Sequence, residues 1–258
     1  PTQVYDFSSL KDSWDSFYLK LYKLALEENP LVQPVGLPEP LKVRVISKGP
    51  AFCYTFLKPF QKFLWRVLKN IPCFALTSEV ITEEHIKIFD PQDDEIIISG
   101  DYTASTDNLK SWVTESILDA LMDEFEHMDF HKHKDCPENF LVGLRGIMLK
   151  ALTRHIFSEK KQNSFGPVKE CEVKHQKNGQ LMGSIISFPF LCIANAAMCR
   201  TSIEFSNLTG ESAFRDLTDP SRYEYGVTLR QTKGRKPIKL LINGDDCVLQ
   251  VKKGGEEV

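Results

Sequence analysis

Apolar side chains recur at spacings of three and four residues along much of the chain, which is the pattern of helices that pack on one face. The stretch 10–28 shows this clearly, with Leu10, Trp14 and Phe17 among its apolar positions. Pro189 suits the first turn of a later helix, where a missing backbone N–H costs nothing. The predicted helices cover residues 10–28, 55–70, 108–126, 141–157 and 188–203.

The strand patterns are shorter. Residues 41–46 follow a proline-rich connector over 30–40 and alternate apolar with basic side chains, which predicts a strand with one wet, positive face. Ile96–Ile98 is a continuous apolar run, which indicates a strand buried on both sides. The runs 238–243 and 247–251 are separated only by a tight turn, which indicates a β-hairpin.

The composition is that of a folded protein. Of 258 residues, 42% are apolar and 10% aromatic, which is enough for a buried core and excludes disorder as the main state. No apolar run reaches the ~18 residues that a membrane helix needs. The seven cysteines are odd in number and form no CxxC pair, which favours a reducing compartment over a disulfide framework. The chain opens on Pro1 without an initiator Met, so we expect a piece of a longer protein.

The charge is unevenly distributed although the net charge is only −3. Between Glu39 and Glu79 lie 39 residues without an acid, where the overall share of 35 in 258 would place about five. A locally basic region in an acidic protein predicts an anionic ligand at one place. Its cations are Lys42, Arg44, Lys48, Lys58, Lys62, Arg66 and Lys69.

Three carboxylates stand at the ends of predicted strands. Asp101 follows the Ile96–Ile98 strand, and Asp245 and Asp246 lie on the hairpin turn. Neighbouring carboxylates repel one another unless a cation neutralises them, and their hard oxygens suit Mg²⁺. Paired metals of this kind serve phosphoryl transfer in polymerases. Taken alone, however, the turn Asn-Gly-Asp-Asp is more often an ordinary solvated turn.

Four segments together resemble, in the same order, the motifs of the palm of viral RNA-directed RNA polymerases. The likeness is strongest to the ourmia-like and narna-like (botourmiavirus) branch of positive-strand viruses, mainly of fungi and plants. The six-residue step from Asp101 to Asp107 and the Ser-Phe-Pro at 187–189 are typical of that branch. The segments are Pro40–Lys48 (motif F), Asp101–Asp107 (motif A), Gly179–Pro189 with Asn195 (motif B) and Asn243–Asp246 (motif C).

The resemblance covers about residues 37–251 and implies an α+β fold, a right-hand polymerase palm with an antiparallel sheet backed by helices. Residues 1–95 would be partial fingers that include the basic motif F strand. Residues 96–258 would be the palm, with a fingers-type insertion around 127–178. Motifs D and E and the thumb have no counterpart, so we expect the thumb to be absent from this chain.

The resemblance also implies roles for the acids. Asp101 and Asp245 would hold two Mg²⁺ ions, for which Mn²⁺ can substitute, with Asp246 as a weaker or outer ligand. Asp107 would read the ribose 2′-hydroxyl of the incoming nucleotide, and the simpler alternative is a helix N-cap. Its partner in motif B is left open between Ser187, which we favour, and Asn195, for which a helix-packing amide is as good an interpretation.

The remaining motif residues are basic or glycine. Lys42, Arg44 and Lys48 would neutralise the triphosphate, and Arg44 with its bidentate fork is the best single candidate. The alternative is a solvated edge strand, where lysine is common. Gly179 and Gly183 would let the backbone approach template and nucleotide closely.

The function implied is templated transfer of nucleoside monophosphate from NTP to an RNA 3′-hydroxyl, with RNA template, RNA product and NTPs as partners. No membrane segment or protein partner is inferred. One alternative is a reverse transcriptase or another palm nucleotidyltransferase. Reverse transcriptases usually carry an aromatic residue before x-Asp-Asp, where this chain has Asn243-Gly244, and another aromatic residue at the position of Asp107. The other alternative is an inactive RNA-binding remnant of a viral polymerase, against which the intact acids argue.

Overall fold

The computed structural model describes residues 7–77, 80–128, 136–158, 173–206 and 239–253. The helices in these ranges are α1 (Phe7–Glu27), α2 (Ala51–Lys69), α3 (Glu83–Lys87), α4 (Ser105–Asn108), α5 (Ser111–His127), α6 (Phe140–Leu152) and α7 (Ser187–Ser206), with a 3₁₀-helix at Pro72–Thr77. The strands are β1 (Leu31–Glu39), β2 (Lys42–Lys48), β3 (Glu95–Gly100), β4 (Ile156–Ser158), β5 (Val173–His175), β6 (Leu240–Asn243) and β7 (Asp246–Lys252). None of the helices described is long and apolar enough to span a bilayer.

The chain forms two compact units, each built from two stretches of sequence. Unit 1 comprises residues 1–65 and 104–190, and unit 2 comprises residues 66–103 and 191–258. The divisions fall within α2, just before α4 and within α7. The expected subdivision into fingers and palm at residue 95 stays a prediction.

Unit 1 combines a four-stranded sheet with a helical core. The sheet has the order β2-β1-β4-β5, in which β1 and β2 form an antiparallel hairpin and β1 meets β4 in parallel only at Leu31 and Val32. The apolar faces of α1, α2, α5 and α6 supply most of the core, as the spacing of three and four predicts. Its most buried side chains include Leu57, Leu118, Leu144, Ile147, Met148, Leu152, Ile186 and Phe190.

Unit 2 is built on an antiparallel sheet of order β3-β7-β6. The β6–β7 hairpin closes with Asn243 opposite Asp246, and β3 lies along β7 with Gly100 opposite Cys247. The 3₁₀-helix packs against β6, and α7 contacts the hairpin turn. The unit is therefore a mixed α/β structure with an antiparallel sheet backed by helices, and it is consistent with a polymerase palm.

Several boundaries differ from the sequence prediction. The helix predicted over 141–157 ends at Leu152, and β4 begins at Ile156. The proline-rich connector over 30–40 is largely the strand β1. Pro34 and Pro38 are four residues apart, so their missing N–H groups lie on the same edge of β1. Proline is tolerated in this strand because β4 pairs with β1 only near its start, which leaves the rest of one edge without a ladder.

Two expectations about burial are wrong. Ile97 is 45% exposed, whereas Ile96 and Ile98, which point to the opposite face of β3, are partly buried. The basic strand β2 is exposed on both faces rather than one: Val43 and Val45 are exposed on the face opposite Lys42 and Arg44. Alternation predicts a strand correctly, but it does not show whether anything covers the apolar face.

Candidate active site

The three candidate metal-binding acids come together in unit 2. Asp101 directly follows β3, Asp245 lies in the hairpin turn, and Asp246 begins β7. Because Gly100 pairs with Cys247 in an antiparallel ladder, the next step of the register places Asp101 beside Asp246. The sheet therefore brings two segments that are 144 residues apart in the sequence (101 and 245) together at one end of its strands.

The electrostatics of Asp246 reflects the same arrangement of acids. Partial burial, and then the neighbouring carboxylates of Asp245 and Asp101, raise the pKa of Asp246 above its ordinary value. Repulsion of this kind is relieved when a cation binds.

The described residues include no ready-made cluster of three His, Cys, Asp or Glu ligands for a metal ion. Mg²⁺, however, commonly binds through one or two carboxylates and completes its shell with waters and substrate phosphates. Carboxylate oxygens that repel one another when no cation is bound suit this kind of site. The acids of unit 2 are therefore suited to a magnesium site that substrate completes.

The hairpin turn is held by neutral side chains of α7. The Asn195 amide nitrogen donates to the carbonyl oxygens of Gly244 and Asp245 at 3.0 Å each, and lies 3.3 Å from that of Asp246. The Gly244 N–H donates to the sulfur of Cys192 at 3.3 Å. Gly244 has φ of +69°, at the first central position of a two-residue hairpin turn, where glycine is favoured. The expected ribose contact of Asn195 stays a prediction, and the contacts it makes in the described residues are with this turn and with Cys199.

Asp107 lies in unit 1, in the four-residue helix α4. The expectation that it caps the following helix is wrong, because Lys110 occupies the N-cap of α5 and Ala104 that of α4. The Asn178 amide donates to the Asp107 carbonyl at 3.3 Å. A backbone bond from Gly179 N–H to Leu109 also ties this segment to the motif B loop.

The two motif B glycines are required by the chain's own backbone. Gly179 has φ of +77°, and a Cβ there would lie 2.7 Å from the carbonyl oxygen of Thr106. Gly183 has φ of +100°, and a Cβ there would lie 2.8 Å from the carbonyl oxygen of Ser47. In addition, the Ser47 N–H donates to the Met182 carbonyl at 2.7 Å. Glycine thus permits the motif B loop to contact both the Asp107 segment and the basic strand.

A buried polar network that sequence reasoning missed supports the same loop. The Gln176 amide nitrogen donates to the Gly179 carbonyl at 2.8 Å, while its oxygen lies 2.8 Å from Nδ1 of the fully buried His155. Burial lowers the pKa of His155, so the ring is neutral, and since an amide oxygen only accepts, Nδ1 carries the proton. Nε2 then accepts from the Tyr54 hydroxyl at 3.2 Å. A lone polar residue in a loop carries no sequence signal of such a role.

The candidate triphosphate cations lie on β2. The Arg44 guanidinium donates to the Glu39 carboxylate at 2.7 Å, and Lys42 lies 3.8 Å from the same carboxylate. Glu39 stands at the edge of the acid-free stretch, and the hairpin register that places it opposite Lys42 could have revealed the contact. Lys48 ends the strand and is exposed. The basic face is therefore partly neutralised by its own hairpin.

Ser187 is the first residue of α7, as expected, and it is buried. Its hydroxyl donates to the Ser184 carbonyl at 3.1 Å. The next residue, Phe188, stacks on Trp65 with ring centroids 5.0 Å apart and planes 6° from parallel. The helix start that follows the motif B loop is therefore fixed by a ring stack, a contact suited to holding a loop in one position.

The candidate residues thus form two groups. Unit 1 holds Asp107, Ser187, the motif B glycines and the basic strand, while unit 2 holds the three acids and Asn195.

Comparison with known proteins finds a viral relative of this chain. The chain is 32% identical over 174 residues to the RNA-dependent RNA polymerase of Ourmia melon virus (isolate Melon/Iran/VE9). It is similar to a viral polymerase. The match covers 64% of this chain but 19% of the relative, so the chain spans about a fifth of that protein's length. No family model matches the chain.

Among solved structures, the fold is similar to that of telomerase from Candida albicans, determined in complex with a fragment of telomeric RNA. The TM-score is 0.50 at 15% sequence identity, and the match covers 97% of this chain and 42% of that one. At this identity the likeness concerns the fold alone.

Proposed function

We propose that this chain is the core of an RNA-directed RNA polymerase that replicates a viral genome. It would transfer nucleoside monophosphate from NTP to the 3′-hydroxyl of RNA, as directed by an RNA template. The observation that carries the proposal is that Asp101, Asp245 and Asp246 lie together at one end of the strands of the unit 2 sheet. There, Asp101 and Asp245 contribute to raising the pKa of Asp246. The similarity to the Ourmia melon virus polymerase supports the same function.

In this proposal Asp101 and Asp245 hold two magnesium ions, with Asp246 as a weaker or outer ligand. Bound metals of this kind lower the pKa of the attacking hydroxyl and stabilise charge on the leaving group. The acids themselves orient the reacting groups through their fixed places on β3 and the hairpin turn. Mn²⁺ would serve as a substitute, since it prefers the same oxygen ligands.

The triphosphate would bind to Lys42, Arg44 and Lys48 on β2. Arg44 would exchange its contact with Glu39 for a phosphate, which its planar fork can grip through two parallel hydrogen bonds. Asp107 would accept a hydrogen bond from the ribose 2′-hydroxyl, with Ser187 beside it, so that RNA precursors are preferred. The motif B glycines would hold the loop between these two groups.

Three finer assignments belong to the same proposal. The Ser-Phe-Pro of motif B and the spacing of motif A support the ourmia-like and narna-like branch, with hosts among fungi and plants. Residues 1–95 would form part of the fingers, and residues 96–258 would form the palm. The described cysteines are free thiols, which supports a reducing compartment such as the host cytoplasm.

Primer extension by the complete polypeptide that contains these 258 residues tests the proposal. We expect template-dependent addition of ribonucleotides that requires Mg²⁺ and is abolished by Asp101→Asn and by Asp245→Asn, because a neutral amide cannot balance the metal charge. Asp123→Asn makes the same change on the exposed face of α5 and serves as the matched control.

The outcomes separate the alternatives. Activity of Asp245→Asn equal to that of the unaltered protein would exclude the proposed site. Efficient use of deoxyribonucleotides would favour a reverse transcriptase. Binding of RNA without any extension would favour an inactive remnant.

A further inference from the structure

We propose that Asn195 positions the metal-binding turn of the β6–β7 hairpin, rather than reading the sugar of the nucleotide. The inference rests on the proposed polymerase function and gives one buried side chain a role in it. Asn195 touches none of the reacting atoms in this role. It is a positioning residue.

Both N–H donors of Asn195 and one lone pair of its amide oxygen are used within unit 2. A primary amide has two N–H donors, and these face three carbonyl oxygens, those of Gly244, Asp245 and Asp246, at 3.0, 3.0 and 3.3 Å. The amide oxygen accepts from the Cys199 thiol at 3.2 Å. Because Asn195 is 1% exposed, a ribose hydroxyl would have to displace one of these buried contacts.

The orientation of the amide is fixed by its neighbours on α7. Cys192, Asn195 and Cys199 follow one another at spacings of three and four, and so lie on one stripe of the helix. Cys199 donates to the amide oxygen, which leaves the nitrogen pointing at the turn, and Cys192 accepts from the Gly244 N–H at 3.3 Å. The stripe thus holds both a carbonyl and an N–H of the same turn.

Holding the backbone of the hairpin turn in place matters because the carboxylates repel each other. With φ of +69° at Gly244, the turn contains the residue type with the greatest backbone freedom, and the carboxylate of Asp246 is repelled by those of Asp245 and Asp101. The bonds from Asn195 hold the turn through its carbonyl oxygens and occupy none of the carboxylate oxygens. Partners of this kind, which orient ligands without touching the metal, change metal affinity about 10- to 100-fold when removed.

The test compares Asn195→Asp with the unaltered complete polypeptide. The substitution keeps the size of the side chain, removes both donors and places an acid against three carbonyl oxygens. Asn195→Ser, whose hydroxyl can keep one donor, is the milder variant for the case in which Asn195→Asp does not fold. Asn70→Asp makes the same chemical change at an exposed position of unit 2 and is the matched control.

Two readouts separate positioning from sugar selection. The first is direct titration with Mn²⁺ without nucleotide, followed by electron paramagnetic resonance, together with the Mg²⁺ concentration that gives half-maximal extension. The second is the ratio of ribonucleotide to deoxyribonucleotide use at saturating metal. We expect both metal constants to rise about 10- to 100-fold in Asn195→Asp and less in Asn195→Ser, with the ratio unchanged.

An unchanged metal requirement with an altered sugar ratio would overturn the inference and assign Asn195 to ribose recognition. Unchanged values for both readouts would overturn it as well, since the amide would then be packing only. If the unaltered protein neither binds Mn²⁺ nor extends a primer, the proposed function itself fails, and this outcome is distinct from both of the others.

Discussion

The repulsion among the acids predicts that Asp246→Asn stabilises the metal-free protein. Burial and the carboxylates of Asp245 and Asp101 raise the pKa of Asp246, so at neutral pH the folded state holds a charge that it disfavours. Asparagine has nearly the same shape and removes that charge. The hairpin turn is therefore preserved while one of three repelling groups is neutralised.

The expected magnitude is modest because Asp246 is largely exposed and water screens its charge. Exposed charge pairs are worth roughly 0.2–1 kcal/mol, so the gain should not exceed about 1 kcal/mol. For domains of this size that is a rise in melting temperature of roughly 2–4 °C.

Bound Mg²⁺ should make the unaltered protein more stable than Asp246→Asn. If the site binds Mg²⁺ with Kd near 1 mM, 10 mM metal stabilises the unaltered protein by about 1.4 kcal/mol. The variant has lost one carboxylate and should gain less. The acids thus cost stability when empty and contribute it when the metal is bound.

The pH dependence has a definite sign. A carboxyl group with a raised folded-state pKa binds its proton more tightly in the folded protein, so stability falls as pH rises from the ordinary aspartate value of about 3.9 through the raised value. The advantage of Asp246→Asn should accordingly be present at pH 7 and vanish in acid.

Thermal unfolding followed by circular dichroism, with and without Mg²⁺ at constant ionic strength, measures these effects in the complete polypeptide. Asp123→Asn is the control for loss of one exposed carboxylate. Equal shifts of the melting temperature by Mg²⁺ in Asp246→Asn and in the unaltered protein would refute the reasoning. A metal-free variant that melts at a lower temperature than the metal-free unaltered protein would refute it as well.

Three further outcomes are expected. Asp107→Ala should lower the preference for ribonucleotides over deoxyribonucleotides, by about 1–3 kcal/mol for a charge-assisted hydrogen bond, as measured by competitive extension; an unchanged ratio would contradict the assignment. Glu39→Gln should lower the KM for NTP up to about fivefold at low salt and not at high salt, because it releases Arg44 and Lys42; a raised KM would show that Glu39 orients them. The 258-residue chain alone should bind Mg²⁺ weakly, tend to aggregate and show no templated synthesis, because template and primer must be held in position to react and we assign none of the described residues to holding the product duplex; robust extension would contradict this.

The fold was predictable wherever periodicity was long or turn chemistry specific. The amphipathic pattern located α1, α2, α5 and α7 to within a few residues, and the Asn-Gly-Asp-Asp turn located the β6–β7 hairpin. The short strand β4 was missed because an apolar run such as Ile156 and Phe157 also continues a helical pattern. The strand β1 was missed because Pro34 and Pro38 argue against a strand unless one edge is open, which only the sheet order reveals.

The site was predictable as a set of residue types but not as a set of contacts. Spacing and order singled out Asp101 and Asp245, and sheet register then brought their segments together. The pairing of Glu39 with Arg44 depends on the geometry of the β1–β2 hairpin, and the sequence predicts only its second strand. The support of the motif B loop by Gln176 and His155 depends on burial of polar groups, which a single sequence does not encode locally.

The neutral chemistry of the α7 stripe explains how a turn rich in acid can be held without weakening its affinity for a cation. Lysine or arginine at the place of Asn195 would bond the same carbonyl oxygens, but its charge would compete with a metal for the carboxylates. The thiols of the stripe also stay neutral, because burial raises the pKa of Cys192 to about 11 and that of Cys199 to about 12. Cys199 therefore keeps the proton that it donates to Asn195 at neutral pH. An amide between two protonated thiols fixes the backbone of the turn without placing a positive charge beside the acids, which would favour the binding of the divalent cation that we propose there.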